Sequence, residues 1–305
     1  MDRRSFLHFG RSGVLPKTPW EEFCHRVQRT VSGQFRDISV PENGVGTAEI
    51  VIERLEDIQH LYALCKYYDV AIALAGFTQA ELVHTRSLLI IHFSSTLNKI
   101  DEMGGNACLA QPSVKVGTLL AKGYQQFARV PRDWSLSQWF ASPRYHDVRP
   151  YHSFLSGVER ISVFFADGEQ AVLGGFGVND RSALSVPILN RCIPNLFELL
   201  REDEMERQLE ADYWPYAYRL DSLQKKLVDI NIARVFQGHQ ARLLWVQQFV
   251  IRKIPEDVLL LAEDMEEIPD TSAIQQSLER VNHRIKGLLD AEGIFLYDDE
   301  VFESV

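Results

Sequence analysis

Two short apolar runs constrain the fold of this 305-residue chain more than any other feature. Val70 to Leu74 is continuously hydrophobic and is followed by Gly76. Ser87 to Phe93 is a second such run. Both are too short for helices, so they read as strands, and a strand apolar on both faces must be covered on both. Glu49 to Ile52 is a further short strand. After it, Leu55, Ile58, Leu61, Leu64 and Cys65 recur every three or four residues, with Glu56 and Asp57 at the start. That spacing predicts an amphipathic helix with acids at its positive end. The order strand, helix, strand, loop, strand is an α/β pattern.

The rest of the chain is consistent with it. Residues 1–30 read as an irregular arm running into a short helix. Ala107 to Gln111 suggests a strand, and Val114 to Tyr124 a helix. Val158 to Ala166 and Glu169 to Leu173 flank Asp167-Gly168, and an Asp-Gly pair between apolar runs signals a hairpin. Ile188 to Leu200 reads as a helix and Trp245 to Ile251 as a strand ended by Lys253-Ile254-Pro255. Residues 256–270 carry seven acids and no base, which marks a solvated face or loop. Ser272 and Gln275 have capping-box spacing ahead of a stripe at Ile274, Leu278, Val281, Ile285 and Leu288.

Composition excludes several functions. Hydrophobic residues are 46% and charged residues 24%, ordinary for a globular protein. The 32 basic and 42 acidic residues leave a net charge of −10, against a nucleic-acid partner, which needs a basic footprint. Cys24, Cys65, Cys108 and Cys192 are too scattered for a C-x-x-C site and are expected as buried thiols in a reducing compartment. No apolar run reaches the length of a membrane span. Arg3-Arg4-Ser5-Phe6-Leu7 has the core of a twin-arginine export signal, but no apolar segment follows. A cytoplasmic protein is therefore expected, with export as the alternative. Tyr145-His146 and Tyr151-His152 read as loop residues, Gly174-Gly175-Phe176-Gly177 as a turn, and Trp134, Trp139, Trp214 and Trp245 as core or interface.

Four stretches, in order along the chain, resemble the PCMH-type FAD-binding domain of the p-cresol methylhydroxylase and vanillyl-alcohol oxidase family, which includes FAD-linked glycolate and D-lactate dehydrogenases. The first runs from Ala48 to Pro131 and includes Leu88 to Ser94 and Leu97-Asn98-Lys99-Ile100-Asp101. The second runs from Arg144-Tyr145 to the Asp167-Gly168 turn. The third is Ile232-Ala233-Arg234-Val235-Phe236-Gln237-Gly238 with Leu244 to Pro255. The fourth is Arg284 to Phe295, including Lys286, Asp290 and Gly293. The resemblance implies two α/β subdomains at 48–132 and 133–255. Residues 1–47 form an arm and helix before them, and 256–305 an acidic linker and helix after them. It also implies FAD between the subdomains. The pyrophosphate loop would be Ala75, Gly76, Phe77, Thr78, Gln79 and Ala80. A second flavin-side segment would be Ser135-Leu136-Ser137-Gln138, and Gly238 would belong to a third.

The chain departs from that pattern. A diphosphate needs several backbone N–H groups converging without side chains in the way. Here Phe77 and Gln79 stand where the family has glycines, Ser137 and Gln138 replace a Gly-Gly pair, and a second glycine is missing at His239 to Leu243. Forcing a side chain into a left-handed position costs roughly 1–2 kcal/mol. Three or four such positions would cost roughly 3–8 kcal/mol, or two to six decades of affinity. The substrate-binding cap domain is also missing, because only a short segment separates Pro255 from Ser272. The expectation is a degenerate FAD-linked oxidoreductase-type protein, a pseudoenzyme whose FAD is weakly held or lost, acting as an accessory or interaction subunit. The alternative is an active small FAD-dependent enzyme of the 2-hydroxy-acid dehydrogenase type, its site completed by a partner in an oxidoreductase complex. An unrelated α/β binding protein is the third reading.

Overall fold

The computed structural model describes residues 18–39, 45–77, 86–146, 149–177, 186–224, 230–259 and 272–297. Helix α1 (Pro19–Thr30) opens on a capping box. Thr18 Oγ1 accepts from the Glu21 N–H, the Glu21 carboxylate accepts from the Thr18 N–H, and Pro19 occupies the first turn, where no N–H is needed. Strands β1 (Phe35–Ser39) and β2 (Thr47–Ile52) follow. Helix α2 (Asp57–Tyr68) ends on Asp69, whose left-handed conformation (φ 55°) turns the chain into β3 (Ala71–Leu74) and then β4 (Leu88–Phe93). The sheet order is β1-β2-β4-β3. β4 runs parallel to both β2 and β3, with Thr47 and Ala71 each opposite Leu88. All of β3 is buried and β4 nearly so, as its apolar run requires.

The second sheet is antiparallel throughout. Its strands are β5 (Ile100–Met103), β6 (Ala107–Ala110), β7 (Val158–Phe165), β8 (Gln170–Leu173) and β9 (Leu244–Arg252), in the order β5-β6-β9-β7-β8. The hairpin forms where Asp167-Gly168 predicts it, with Gly168 at φ 89°. The chain changes sheets at residues 94–99. Residues 100–110, which precede residue 132, pair in the second sheet because β6 pairs with β9 and β5 pairs with β6. Helices α3 (Val116–Ala121), α4 (Leu136–Ala141), α5 (Pro187–Leu199), α6 (Asp203–Leu209), α7 (Ile232–Val235), α8 (Glu256–Leu259) and α9 (Gln275–Leu289) complete the described α-helices, and short 3-10 turns join several elements. The predicted box at Ser272 and Gln275 does not cap α9. Residues 272–274 form a 3-10 turn and Ile274 holds the cap position, without a side-chain cap.

Each sheet has its own core, and the two cores meet. Phe164, Ala166 and Trp245 of the second half belong to the apolar cluster of the first. Tyr62 Oη donates to the Ala166 carbonyl across this seam. The C-terminal segment crosses it as well. Helix α9 packs against α5. The Ile72 N–H then donates to the Ile294 carbonyl at 2.8 Å and the Leu296 N–H to the Ile72 carbonyl at 2.8 Å, so residues 294–296 lengthen the first sheet beyond β3. Lys286 fastens this tail. Its Nζ reaches Asp290 at 2.5 Å, the Phe295 carbonyl at 2.6 Å and the Arg242 carbonyl at 2.9 Å, and Asp290 accepts the N–H groups of Ile294 and Phe295. No described helix is long and apolar enough to cross a membrane.

Candidate functional site

The carboxyl end of β3 opens towards α4 and the loop from Gly238 to Arg242. In α/β sheets this is where ligands settle, because loops diverge there. The structure brings together the three segments implied by the resemblance. Gly76 is exposed at φ 90°, and a Cβ placed on it would lie 3.6 Å from Gln138 Nε2. The Gly238 N–H donates to the Phe140 carbonyl at 2.8 Å, and the Gln240 N–H to the Ala141 carbonyl at 2.8 Å. Gly238 is at φ 80°, and a Cβ there would crowd Pro143 Cα at 3.2 Å and the Ala217 carbonyl at 3.3 Å. Thr78 and Gln79 lie outside the described residues.

Side chains fill much of the space between these segments. Ala75 continues β3 by donating its N–H to the Ile91 carbonyl. Phe77 is half-buried and packs with Leu74, Ala141, Ala241 and Phe93. What remains is a recess of about 190 Å³ lined by Ala73, Leu74, Phe77, Gln240, Ala241, Arg242 and Leu296. Cofactor pockets occupy roughly 300–1,000 Å³.

The segment from Ser135 to Gln138 is the start of a helix, and its donors are engaged internally. Ser135 N–H donates to Gln138 Oε1 (3.0 Å) and Gln138 N–H to Ser135 Oγ (3.2 Å), a complete capping box. Leu136 N–H donates to the Val114 carbonyl (2.9 Å) and Ser137 N–H to the Pro112 carbonyl (3.1 Å). The Ser137 hydroxyl also donates to Pro112, at 3.1 Å. Ser135 and Gln138 carry capping-box spacing, a signal that sequence reading missed here. A Gly-Gly pair here could not supply the Gln138 side chain that closes the box.

The loop facing α4 keeps a glycine-like path without glycine. Gln240 and Ala241 stand at φ 53° and 58°. Each left-handed residue costs roughly 1–2 kcal/mol, and such strain gathers at sites where the surroundings over-determine the backbone. Arg242 follows, its guanidinium 4.9 Å from the Tyr297 ring. Sequence reading missed Gln240, Ala241, Arg242 and Leu296 as lining. The signal was the absent second glycine near His239, since the 240–242 loop and the tail reach the recess through tertiary contacts.

The titratable groups nearby are not poised for acid/base work. His146 and His239 are buried, and burial pulls both down to about 3, so both are neutral imidazoles closed off from solvent. His146 Nε2 lies 3.0 Å from the Trp139 carbonyl. All four cysteines are buried free thiols, as expected. Burial raises each of them, Cys192 to about 11, so none is a ready thiolate. Trp139, Trp214 and Trp245 are core residues. Gly174 to Gly177 ends β8, with Gly175 bridged to Asn231. Arg219 and Asp221 form a second buried ion pair (2.9 and 2.7 Å). Arg219 also donates to the carbonyls of His146 and Arg149, and Asp221 accepts the Tyr151 N–H. Among the described residues no three His, Cys, Asp or Glu side chains gather as a metal site.

Among the described residues the recess is smaller than a whole dinucleotide needs, Phe77 lines it, and the N–H groups at the start of α4 are engaged within the chain. No family model and no curated protein matches the sequence. Solved structures similar to it include alkyldihydroxyacetonephosphate synthase, at 12% identity and a TM-score of 0.43, over 79% of this chain and 43% of that one. A 4-ethylphenol oxidase from Gulosibacter chungangensis in complex with isoeugenol is similar at 15% identity and 0.44, over 80% and 44%. p-Cresol methylhydroxylase with substrate bound is similar at 13% and 0.43, over 80% and 44%. All three are PCMH-type FAD-binding proteins, the type that the sequence resembles. The chain spans less than half the length of each.

Proposed function

We propose that this chain is an FAD-oxidoreductase-type protein that has given up tight cofactor binding and acts as an accessory or interaction subunit in the cytoplasm. The observation that carries this reading is Phe77, packed against Ala141 and Ala241 where a dinucleotide would lie, beside an α4 start whose donors all point inward. The ultraviolet-visible spectrum of the purified protein tests it. The expected protein is colourless and takes up FAD only at high micromolar concentration or above. A yellow protein with one flavin per chain would overturn the reading.

A second reading is a working FAD-linked oxidoreductase of the 2-hydroxy-acid dehydrogenase type, whose site a partner subunit completes. It is favoured by the left-handed backbone kept at Gly76, Gly238, Gln240 and Ala241. Phe77→Gly separates the two. If the loop course survives and only the ring obstructs, the variant gains FAD affinity of tenfold or more. If the α4 end also excludes the cofactor, affinity stays unchanged.

A further inference from the structure

The loop from Gly238 to Arg242 carries one of two neighbouring, nearly buried imidazoles. His146 and His239 are 5% and 3% exposed, and their rings stand 6.3 and 5.7 Å from the same Phe140 ring. His239 Nδ1 is buried without a hydrogen-bond partner. The charged group acting on His146 is Arg219, and the group acting on His239 is His146 itself. Both influences disfavour a second positive charge. Asp221 is the carboxylate nearest Arg219 in the chain, and it is already taken by that guanidinium and by the Tyr151 N–H. A proton on either imidazole is therefore tolerated only once water reaches it.

The shortest way to admit water is to lift the loop that carries His239. Two bonds to the last carbonyls of α4, from the N–H groups of Gly238 and Gln240, hold its first half down, while Lys286 holds its far end through the Arg242 carbonyl. Its backbone is strained at Gln240 and Ala241, so release relaxes it. Gln240, Ala241 and Arg242 already face the open recess. We propose that the 238–242 loop is an acid-operated latch: protonation of His239 and His146 frees it from α4 and opens the trough beside Phe77. The device is independent of whether flavin binds.

Amide hydrogen exchange on the full-length chain at pH 7 and pH 5, expressed as protection factors, tests it. With ordinary imidazole affinity in the open state, one histidine lowers protection at Gly238 and Gln240 roughly 25-fold between these pH values. At both pH values protection at Gly238 and Gln240 stays below that along β9, which marks local opening rather than global unfolding. His239→Gln flattens the pH dependence at both amides, and His146→Gln reduces it. Protection that does not change with pH overturns the proposal, and so does protection equal to that of β9 or a dependence retained in both variants. Should His239→Gln fail to fold, the contrast between the loop and β9 in the unaltered protein decides alone.

Discussion

The two walls of the trough are built on opposite plans. One is the end of β3 from Leu74 to Phe77, with the tail at Leu296 beside it. It is a strand end whose Gly76 is still exposed and left-handed. The other is α4 with the loop at 238–242, where capping donors are engaged within the chain and two neutral imidazoles are sealed below. The first wall keeps a shape that could receive a ligand's charged group. The second engages its donors within the chain and packs as core. The two walls show that a helix start can be closed by its own capping exchange while a strand end beside it stays open.

Lys286→Ala tests what joins the walls and has the largest expected effect. It leaves Asp290 buried without its cation and releases contacts to Arg242 and Phe295. A loss of about 3–5 kcal/mol is expected in denaturant unfolding. A loss below about 1 kcal/mol would mean that the walls are held by packing alone.

Acid strikes the second wall. His146 and His239 have folded affinities depressed to about 3 from 6.5, so the unfolded chain binds more protons between those values. Their stabilisation is whole above pH 6.5 and falls as pH drops towards 3. At pH 5 the loss reaches about 2 kcal/mol per histidine. Thermal melts from pH 7 to 5 check it, and the pH-dependent part shrinks in His239→Gln.

Ala241→Gly probes the strain in the same wall and has the smallest effect. Relief of the left-handed alanine outweighs the added chain entropy, for a net gain of about 0.5–1 kcal/mol. A destabilised variant would show that the Ala241 methyl, packed with Phe77, matters more than backbone strain.

The sequence announced local features and concealed non-local ones. The runs at Val70–Leu74 and Ser87–Phe93 became β3 and β4 because burial on both faces leaves a composition mark. Asp167-Gly168 became a hairpin because the turn is a local choice. The membership of β5 and β6 in the second sheet was not legible, since β6 pairs with β9, over 130 residues on, β5 joins through β6, and pairing leaves no mark on either strand. At the site, Gly76, Phe77, Gln138 and Gly238 were nominated and do converge. The lining by Gln240, Arg242 and Leu296 was hidden, because nothing in those residues says which neighbours tertiary structure brings to them. The closing motif around Lys286 and Asp290 was seen only as a resemblance, and its physical role as a fastener needed the coordinates.

The bridge from Ile72 to Phe295 bears on how the molecule is made. Residues of β3 emerge from a ribosome long before the segment that covers their edge, more than 200 residues further along the chain. Until then β3 offers an open, apolar border to whatever strand passes by. Long-range closure of this kind slows assembly and leaves nascent chains prone to sticking. A cell producing this protein would be expected to need chaperone shelter until that segment has been made.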